Sequence, residues 1–111
     1  MSVYEMLPVS PGTDADFAVE LEDDVLSPLF RAGSRVLMKR SADLLNGDVG
    51  LFYSTAGIVF RQFCQDSEGN IYLFALNREH KDEDLMIPAS GEKPVCYGKV
   101  ILDQLLPLPS D

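Results

Sequence analysis

Apolar and polar residues alternate with a period of two along most of this chain. In DFAVELE (16–22), Phe17, Val19 and Leu21 fall on one face of an extended strand. Six further short runs rich in Val, Ile, Phe, Tyr or Leu follow: SRVLMKR, DVGLFYS, GIVFRQFC, NIYLFAL, DLMIP and VCYGKVIL. Seven short strands at this spacing predict an all-β domain.

Turn residues and the shortage of helical patterns define the shape of the predicted sheet. No long window has the 3.6-residue period of an amphipathic helix, and only single helical turns are expected, at 27–30 and 42–45. We therefore expect a strongly bent sheet or partial barrel with one or two short helical turns. Turn-forming residues, which supply the tight backbone conformations between strands, lie at 32–33, 46–48, 56–57, 66–70 and 90–94.

The length of the chain, 111 residues, is that of one domain. We divide it into an extended arm or linker remnant (1–15), a β domain (16–103) and a Pro-broken tail (104–111). Prolines and a glycine interrupt any strand in the arm. The abrupt start of the arm suggests a piece of a longer protein, and a short natural product that begins at Met1 is the alternative.

The charge of the chain limits its partners. The formal net charge is -9 and the isoelectric point is near 4.4, so the surface repels the phosphate backbone that Lys and Arg would have to neutralise in nonspecific nucleic-acid binding. No apolar run approaches the roughly 20 residues of a membrane span, and the N-terminus lacks the pattern of a secretory signal. We expect a cytoplasmic protein that has no membrane partner and does not bind DNA directly.

Metal and disulfide chemistry have little support in the sequence. Cys64 and Cys96 lack metal-ligand spacing and are too few for a disulfide scaffold. A zinc site cannot be built around His80, the single histidine. The acidic runs at 20–24 and 80–86 lack the rhythm of a calcium loop and are read as solvated surface. No cofactor and no metal are expected.

Six stretches in order carry a family resemblance: DFAVELEDDVLSPLF, RAGSRVLMKR, NGDVGLF, GIVFRQF, YLFALN and CYGKVIL. Together they resemble the C-terminal domain of LexA and of lambda-type phage repressors, whose fold is shared with bacterial signal peptidases. The resemblance covers about four-fifths of the chain. No single stretch is specific for the family, but the succession of all six is.

The resemblance implies that this member has lost catalysis. The family cuts its own chain with a serine nucleophile and a neutral, buried lysine base. Its G-D-S-M motif corresponds to DDVL (23–26) and its V-K-R motif to VFR (59–61), so the nucleophile position holds Val25 and the base position holds Phe60. Neither side chain can attack a carbonyl or accept a proton. We expect the two to touch and to fill the former cleft.

The segment that the family cleaves is also altered. Self-cleaving members cut an Ala-Gly bond before the domain, within V-S-A-G-T, and this chain has VSPGT with Pro11 before Gly12. Proline fixes φ and removes an N–H that could pair in the cleft. The resemblance therefore implies that the cleavage site has been lost together with the catalytic pair.

Three other side chains are candidates for chemistry. Ser27 lies two positions after Val25 and Lys39 lies in the next strand, and a Ser-Lys pair is sufficient for catalysis in principle. However, Lys39 approaches an exposed strand end, where a lysine stays charged, and Ser27 has a structural role before Pro28. Arg61 retains the family's arginine and is expected in a structural ion pair with a carboxylate, with a ligand or peptide contact as the alternative.

The function implied by the resemblance is regulation and dimerisation. Such a domain holds together two subunits of a phage-related transcriptional repressor, and operator DNA is bound only through an N-terminal helix-turn-helix domain that this chain does not contain. We expect a homodimer in which the last strand contributes Tyr97, Val100 and Leu102, because an uncovered apolar edge strand would be sticky. The alternative is that these three residues belong to the core.

Two functions of other classes remain open at this stage. One is a self-cleaving peptidase that uses unexpected groups. The other is a free-standing module that captures an extended peptide by strand addition in the old cleft. A repressor that cannot cleave itself would need a ligand, an antirepressor or another protease for its induction.

Overall fold

This computed structural model describes residues 4–40, 43–55, 57–102 and 106–110. All seven predicted strands are confirmed, and their observed ends lie within two residues of the predicted ones. They are β1 (Phe17–Glu20), β2 (Arg35–Lys39), β3 (Val49–Ser54), β4 (Gly57–Gln65), β5 (Ile71–Phe74), β6 (Leu85–Ile87) and β7 (Val95–Val100).

The seven strands form one antiparallel sheet that does not close on itself. Their order is β1-β2-β7-β3-β4-β5-β6, so β1 and β6 are the two edges. Strands β3 and β4 form the longest hairpin, in which Leu51 lies opposite Phe60 and Gly50 lies opposite Arg61. The predicted mainly-β architecture with an open, bent sheet is confirmed.

The bend is visible in which face of the sheet is buried. Neighbouring residues of a strand point to opposite faces, and in β3 both Leu51 and Phe52 are buried. Leu51 belongs to a large apolar cluster built mainly on β1, β2, β3 and the β1–β2 loop, whereas Phe52 belongs to a smaller cluster built with Phe63 and Leu73. Each half of the sheet therefore buries a different face, and the central strands are covered on both sides.

Helical structure differs from the sequence-based expectation. The turn expected at 27–30 is present as a hydrogen-bonded turn, in which the Phe30 N–H donates to the Leu26 carbonyl at 3.0 Å. The turn expected at 42–45 is not helical over 43–45, and residue 42 lies outside the described residues. The reason is local: the Leu45 N–H donates to the Asp48 carboxylate at 2.8 Å, which closes a tight turn instead.

One 3₁₀ segment, Arg78–Glu83, was not predicted because its sequence is polar throughout. Asn77 caps it by accepting a hydrogen bond from the Glu79 N–H. In the ranges that the structure describes, no helix is long and apolar enough to cross a membrane.

The C-terminal tail leaves the sheet, and a buried glutamine holds it. Gln62, which is 1% exposed, donates through Nε2 to the carbonyls of Leu106 (3.4 Å) and Pro107 (3.0 Å). The same nitrogen donates to the Gly47 carbonyl at 3.2 Å. The predicted boundary between residues 103 and 104 lies outside the described residues.

Candidate functional site

Val25 lies in the loop that connects β1 to β2. The base of this loop is closed by two backbone hydrogen bonds between Leu21 and the 33–34 turn, at 2.9 and 2.7 Å. The Val25 N–H donates to the Asp23 carboxylate at 3.1 Å, which fixes the backbone at this point. The Val25 side chain is half-buried and packs against the large apolar cluster.

Phe60 is a fully buried member of that same cluster, with 0% exposure. It sits in the middle of β4, and its cross-strand neighbour Leu51 belongs to the cluster too. The two residues that the resemblance singled out are therefore associated with the same apolar cluster: Phe60 is a member of it and Val25 packs against it. Neither side chain contains a nucleophile or a base.

The N-terminal arm packs against this cluster. The Tyr4 ring meets the Phe60 ring edge-on, with centroids 5.0 Å apart and an interplanar angle of 76°. Three residues later, Leu7 exchanges two backbone hydrogen bonds with Ala18 of β1, at 2.7 and 2.9 Å. We call the group formed by Tyr4, Val25 and Phe60 the Phe60 site. No pattern in the sequence indicates this role of Tyr4.

Arg61 is buried beside Phe60, with 5% exposure, but not in the way the sequence suggested. Its guanidinium donates to two carbonyls, Phe60 at 2.8 Å and Glu83 at 3.5 Å. Among the described residues it makes no ion pair, and its Nε has no hydrogen-bond partner. Burial lowers the pKa of Arg61, while the nearby charges of Glu83 and Asp84 and the Tyr4 phenol oppose that shift.

The loop that carries Val25 is tied to the 3₁₀ segment by a polar network. Asn77 is buried and donates through Nδ2 to the Asp24 carbonyl and carboxylate, at 3.1 and 3.2 Å. His80 Nε2 lies 3.2 Å from the Asp24 carboxylate, and Nδ1 lies 3.8 Å from Glu83. The hydrogen bond to Asp24 raises the pKa of His80 above its ordinary value. The lone histidine thus positions a loop, a role that only its three-dimensional neighbours reveal.

Pro11 and Gly12, the predicted remnant of a cleavage site, lie in an exposed turn. Gly12 has a φ of 90°, which is favourable only for glycine, and its surroundings are open. The part of the arm that contacts the Phe60 site is residues 4–7 instead.

Of the alternative catalytic pair, Ser27 lies in the loop between β1 and β2, and Lys39 is the last residue of β2. Glu20 at the end of β1 pairs with Arg35 at the start of β2, and the loop that contains Ser27 connects these two residues. Lys39 is the last residue of that strand, about 13 Å further along at roughly 3.3 Å per residue. Its ammonium donates to the Asp14 carbonyl at 3.0 Å, beside the start of β1 and away from the loop.

The last strand was expected to be an uncovered edge strand, and this expectation is wrong. Strand β7 lies between β2 and β3. Val100 is 5% exposed and belongs to the large cluster, and Tyr97 and Leu102 are partly buried against it. Pairing with β2 involves only Lys99 and Val100, so within the described residues 95–98 have no strand neighbour on that side.

A second apolar surface lies between the end of β3 and the edge strand β6. Three large side chains there are mostly exposed: Tyr53 (54%), Met86 (58%) and Val95 (55%). Together with neighbouring residues, including Pro88 and Lys93, they line a groove of about 520 Å³, which we call the open groove. No pattern in the sequence distinguished these three residues from core positions.

The fold and the site define a class of protein: an open, bent antiparallel sheet with an apolar site where the first loop meets the long hairpin. The family model described as Peptidase S24-like matches residues 3–101, and the chain belongs to this family. A search of the curated proteins found no significant match to the chain. The family resemblance inferred from the six sequence stretches is therefore confirmed.

Proposed function

We propose that this chain is a catalytically inactive Peptidase S24-like domain that serves as the regulatory and dimerisation part of a phage-related transcriptional repressor. One observation carries the proposal. Phe60, at the position where the resemblance implies the lysine base, is completely buried in the core cluster against which Val25 packs. Replacing a buried polar pair by two apolar groups is neutral or stabilising, so a site released from catalysis would change in this direction.

The charge of the chain supports a repressor in which DNA binding and dimerisation belong to different domains. A domain with a net charge of -9 does not supply the Lys and Arg contacts that DNA binding needs. Operator recognition would therefore belong to a helix-turn-helix outside these residues, in a protein acting in the cytoplasm. Without self-cleavage, induction would depend on an antirepressor, a ligand or another protease.

Loss of catalysis can be tested with a substrate that restores the cleavable bond. The test substrate is a peptide of residues 5–17 with alanine in place of Pro11, incubated with the protein from pH 7 to pH 10. We expect the peptide mass to stay unchanged. Cleavage between the new alanine and Gly12 that scales with protein concentration would contradict the proposal.

Dimerisation is proposed through the unpaired side of residues 95–98, with Tyr97 at its centre and with Leu102 at its margin. Val100 is left out of the revised interface because it is part of the core. Sedimentation should show a dimer for the natural chain and a monomer for Tyr97→Arg. Leu108→Arg, at an exposed position in the tail (39%), is the matched control and should remain dimeric. A natural chain that is monomeric at high micromolar concentration would refute this part.

A peptide-binding module is the second candidate, and a specific observation favours it. The Phe60 site already holds an extended segment, the chain's own arm, through a ring contact and a backbone pair. A peptidase based on Ser27 and Lys39 has no comparable support, because the Lys39 ammonium donates to the Asp14 carbonyl beside the start of β1.

A further inference from the structure

The C-terminal tail, described over residues 106–110, meets the sheet at the open end of the β3–β4 hairpin. Just before β3, Gly47 extends this hairpin, because its N–H donates to the Phe63 carbonyl at 2.8 Å. Gln62, in β4, lies opposite Val49, the first residue of β3. Gly47 and Gln62 both reach the tail, and we call these two residues the tail seat.

The Gln62 side chain depends on the tail for one of its hydrogen bonds. Its amide nitrogen Nε2 carries two hydrogens. Three carbonyls lie within reach of that nitrogen: Gly47 at 3.2 Å, Leu106 at 3.4 Å and Pro107 at 3.0 Å. The hairpin itself supplies only the Gly47 carbonyl, so the second hydrogen goes to the tail. Because Gln62 is 1% exposed, loss of the tail removes an acceptor from a buried donor, which is unfavourable.

Gly47 is required by the approach of the tail as well as by its own backbone conformation. Its φ of 103° lies in the left-handed region that glycine favours. A Cβ at this position would lie 2.6 Å from the Leu106 carbonyl oxygen, which is too close for any side chain. Gly12 has a similar φ of 90°, but nothing lies within 4 Å of its Cβ position. Gly12 therefore serves a turn alone, whereas Gly47 also leaves room for the tail.

The tail is attached by contacts that can be broken without opening the sheet. Among the described residues, the hydrogen bonds that hold it are the two donated by the tail seat, and its Leu106 side chain packs against the large cluster. Residues 106–110 belong to no strand, and Leu108 is 39% exposed. Pro107 and Pro109 have no N–H, so the segment offers carbonyls and is stiff before it docks. Release of the tail therefore leaves every hydrogen bond between strands in place.

We propose that residues 106–110 form a releasable strap: docked on Gly47 and Gln62, they cover one end of the large cluster, and their displacement destabilises the domain. A cut of the chain between the sheet and the docked tail then weakens the domain without any cleavage in the arm. The inference goes beyond the proposed function and does not depend on it, because the strap would act in the same way in a catalytically active member of the family.

The first measurement is backbone amide relaxation by NMR, for the natural chain and two glycine variants. Gly47→Ala and Gly12→Ala both place a side chain on a left-handed backbone, but only Gly47→Ala collides with the tail. The order parameter of the Leu106 amide should be about 0.85 in the natural chain and in Gly12→Ala, and below about 0.6 in Gly47→Ala. The urea midpoint of Gly47→Ala should be lower than that of Gly12→Ala.

The second measurement supplies the tail as a separate peptide. Leu106→Asp leaves the tail seat intact but places a charge against the large cluster, and Leu108→Asp, at an exposed position of the same tail, is its control. In the natural chain the attached tail competes at an effective concentration on the order of 1 mM. A labelled peptide of residues 104–111 should therefore bind Leu106→Asp at least about ten-fold more tightly than the natural chain. Saturating peptide should also raise the urea midpoint of Leu106→Asp toward that of Leu108→Asp.

A mobile tail in Gly47→Ala, together with rescue of Leu106→Asp by the peptide, supports the strap. A Leu106 amide that is as mobile in the natural chain as in Gly47→Ala overturns it, and so do equal urea midpoints for the two glycine variants. If Gly47→Ala does not fold, the leucine pair decides: equal midpoints for Leu106→Asp and Leu108→Asp, or no response to the peptide, overturn the proposal.

The intact mass of the same samples keeps this result separate from the proposed function. A chain cut between Pro11 and Gly12 would refute the loss of catalysis and leave the strap unaffected. An uncut chain whose tail is mobile in every variant would refute the strap alone.

Discussion

The Phe60 site and the open groove are both apolar, but the first is buried and the second is exposed to solvent. Phe60 is 0% exposed, with β3 and β5 on either side of its strand and the arm above it. Tyr53, Met86 and Val95 of the open groove are 54–58% exposed because they lie at strand ends and on the edge strand β6. Position within the sheet, more than residue type, decides which apolar side chains are covered.

This contrast has a thermodynamic consequence. Side chains of the Phe60 site should contribute strongly to the free energy of unfolding, whereas side chains of the open groove should contribute little. If the apolar replacement at the Phe60 site has become part of the core, then substitutions in the two regions must separate clearly in stability.

The largest effect is expected for Phe60→Ala. Removing a fully buried phenylalanine leaves a cavity in the core and should lower the free energy of unfolding by about 3–5 kcal/mol. Tyr53→Ala is the matched control and should change it by less than about 0.5 kcal/mol, because exposed positions contribute little. Urea denaturation measures both. Equal losses for the two variants would remove the distinction between the regions.

Arg61→Met should have the next largest effect. Methionine fills a similar volume but cannot donate to the carbonyls of Phe60 and Glu83, so we expect a loss of about 1–3 kcal/mol. Lys93→Met, on the rim of the open groove, is the control and should be close to neutral. A more stable Arg61→Met protein would mean that burial of the charge outweighs its hydrogen bonds.

Tyr4→Ala should lower the free energy of unfolding by about 1 kcal/mol, the order of one edge-to-face aromatic pair. Met6→Ala changes an exposed neighbour in the same arm and should have a smaller effect. Denaturation at several protein concentrations checks the result. A Tyr4→Ala protein as stable as the natural chain would show that the arm does not hold the site closed in solution.

The smallest effect concerns pH. The hydrogen bond to Asp24 raises the pKa of His80 in the folded protein above its ordinary value near 6.5. Because protonated His80 is favoured in the folded state, its contribution to stability is fully present below the unfolded pKa. It is lost as the pH rises through the folded pKa. Denaturation from pH 5 to pH 8 should show this loss in the natural chain, and His80→Gln should show a flatter dependence.

Several features were predictable from the sequence because they depend on local patterns. The seven strands follow from the alternation of apolar residues, and the family follows from the order of six stretches. The resemblance led us to expect that Phe60 fills the former cleft as an apolar side chain, and its burial agrees with that expectation.

Other features depend on long-range placement, which no local pattern encodes. The order of the strands places β7 between β2 and β3, so Val100 became a core residue rather than an edge residue. Tyr4 lies in a segment broken by prolines, and its contact with Phe60 spans more than fifty residues of sequence. The Arg78–Glu83 segment is polar throughout, so no apolar periodicity marks its helical turn.

The most direct test of the central claim is the intact mass of the purified chain and of its Pro11→Ala variant, followed over days from neutral to strongly alkaline pH. High pH favours a neutral lysine, and the variant restores an Ala-Gly bond, so any remaining catalyst has its best opportunity. The account predicts an unchanged mass for both proteins at every pH. A pair of fragments split between residues 11 and 12, in either protein, would contradict it and would show a working peptidase.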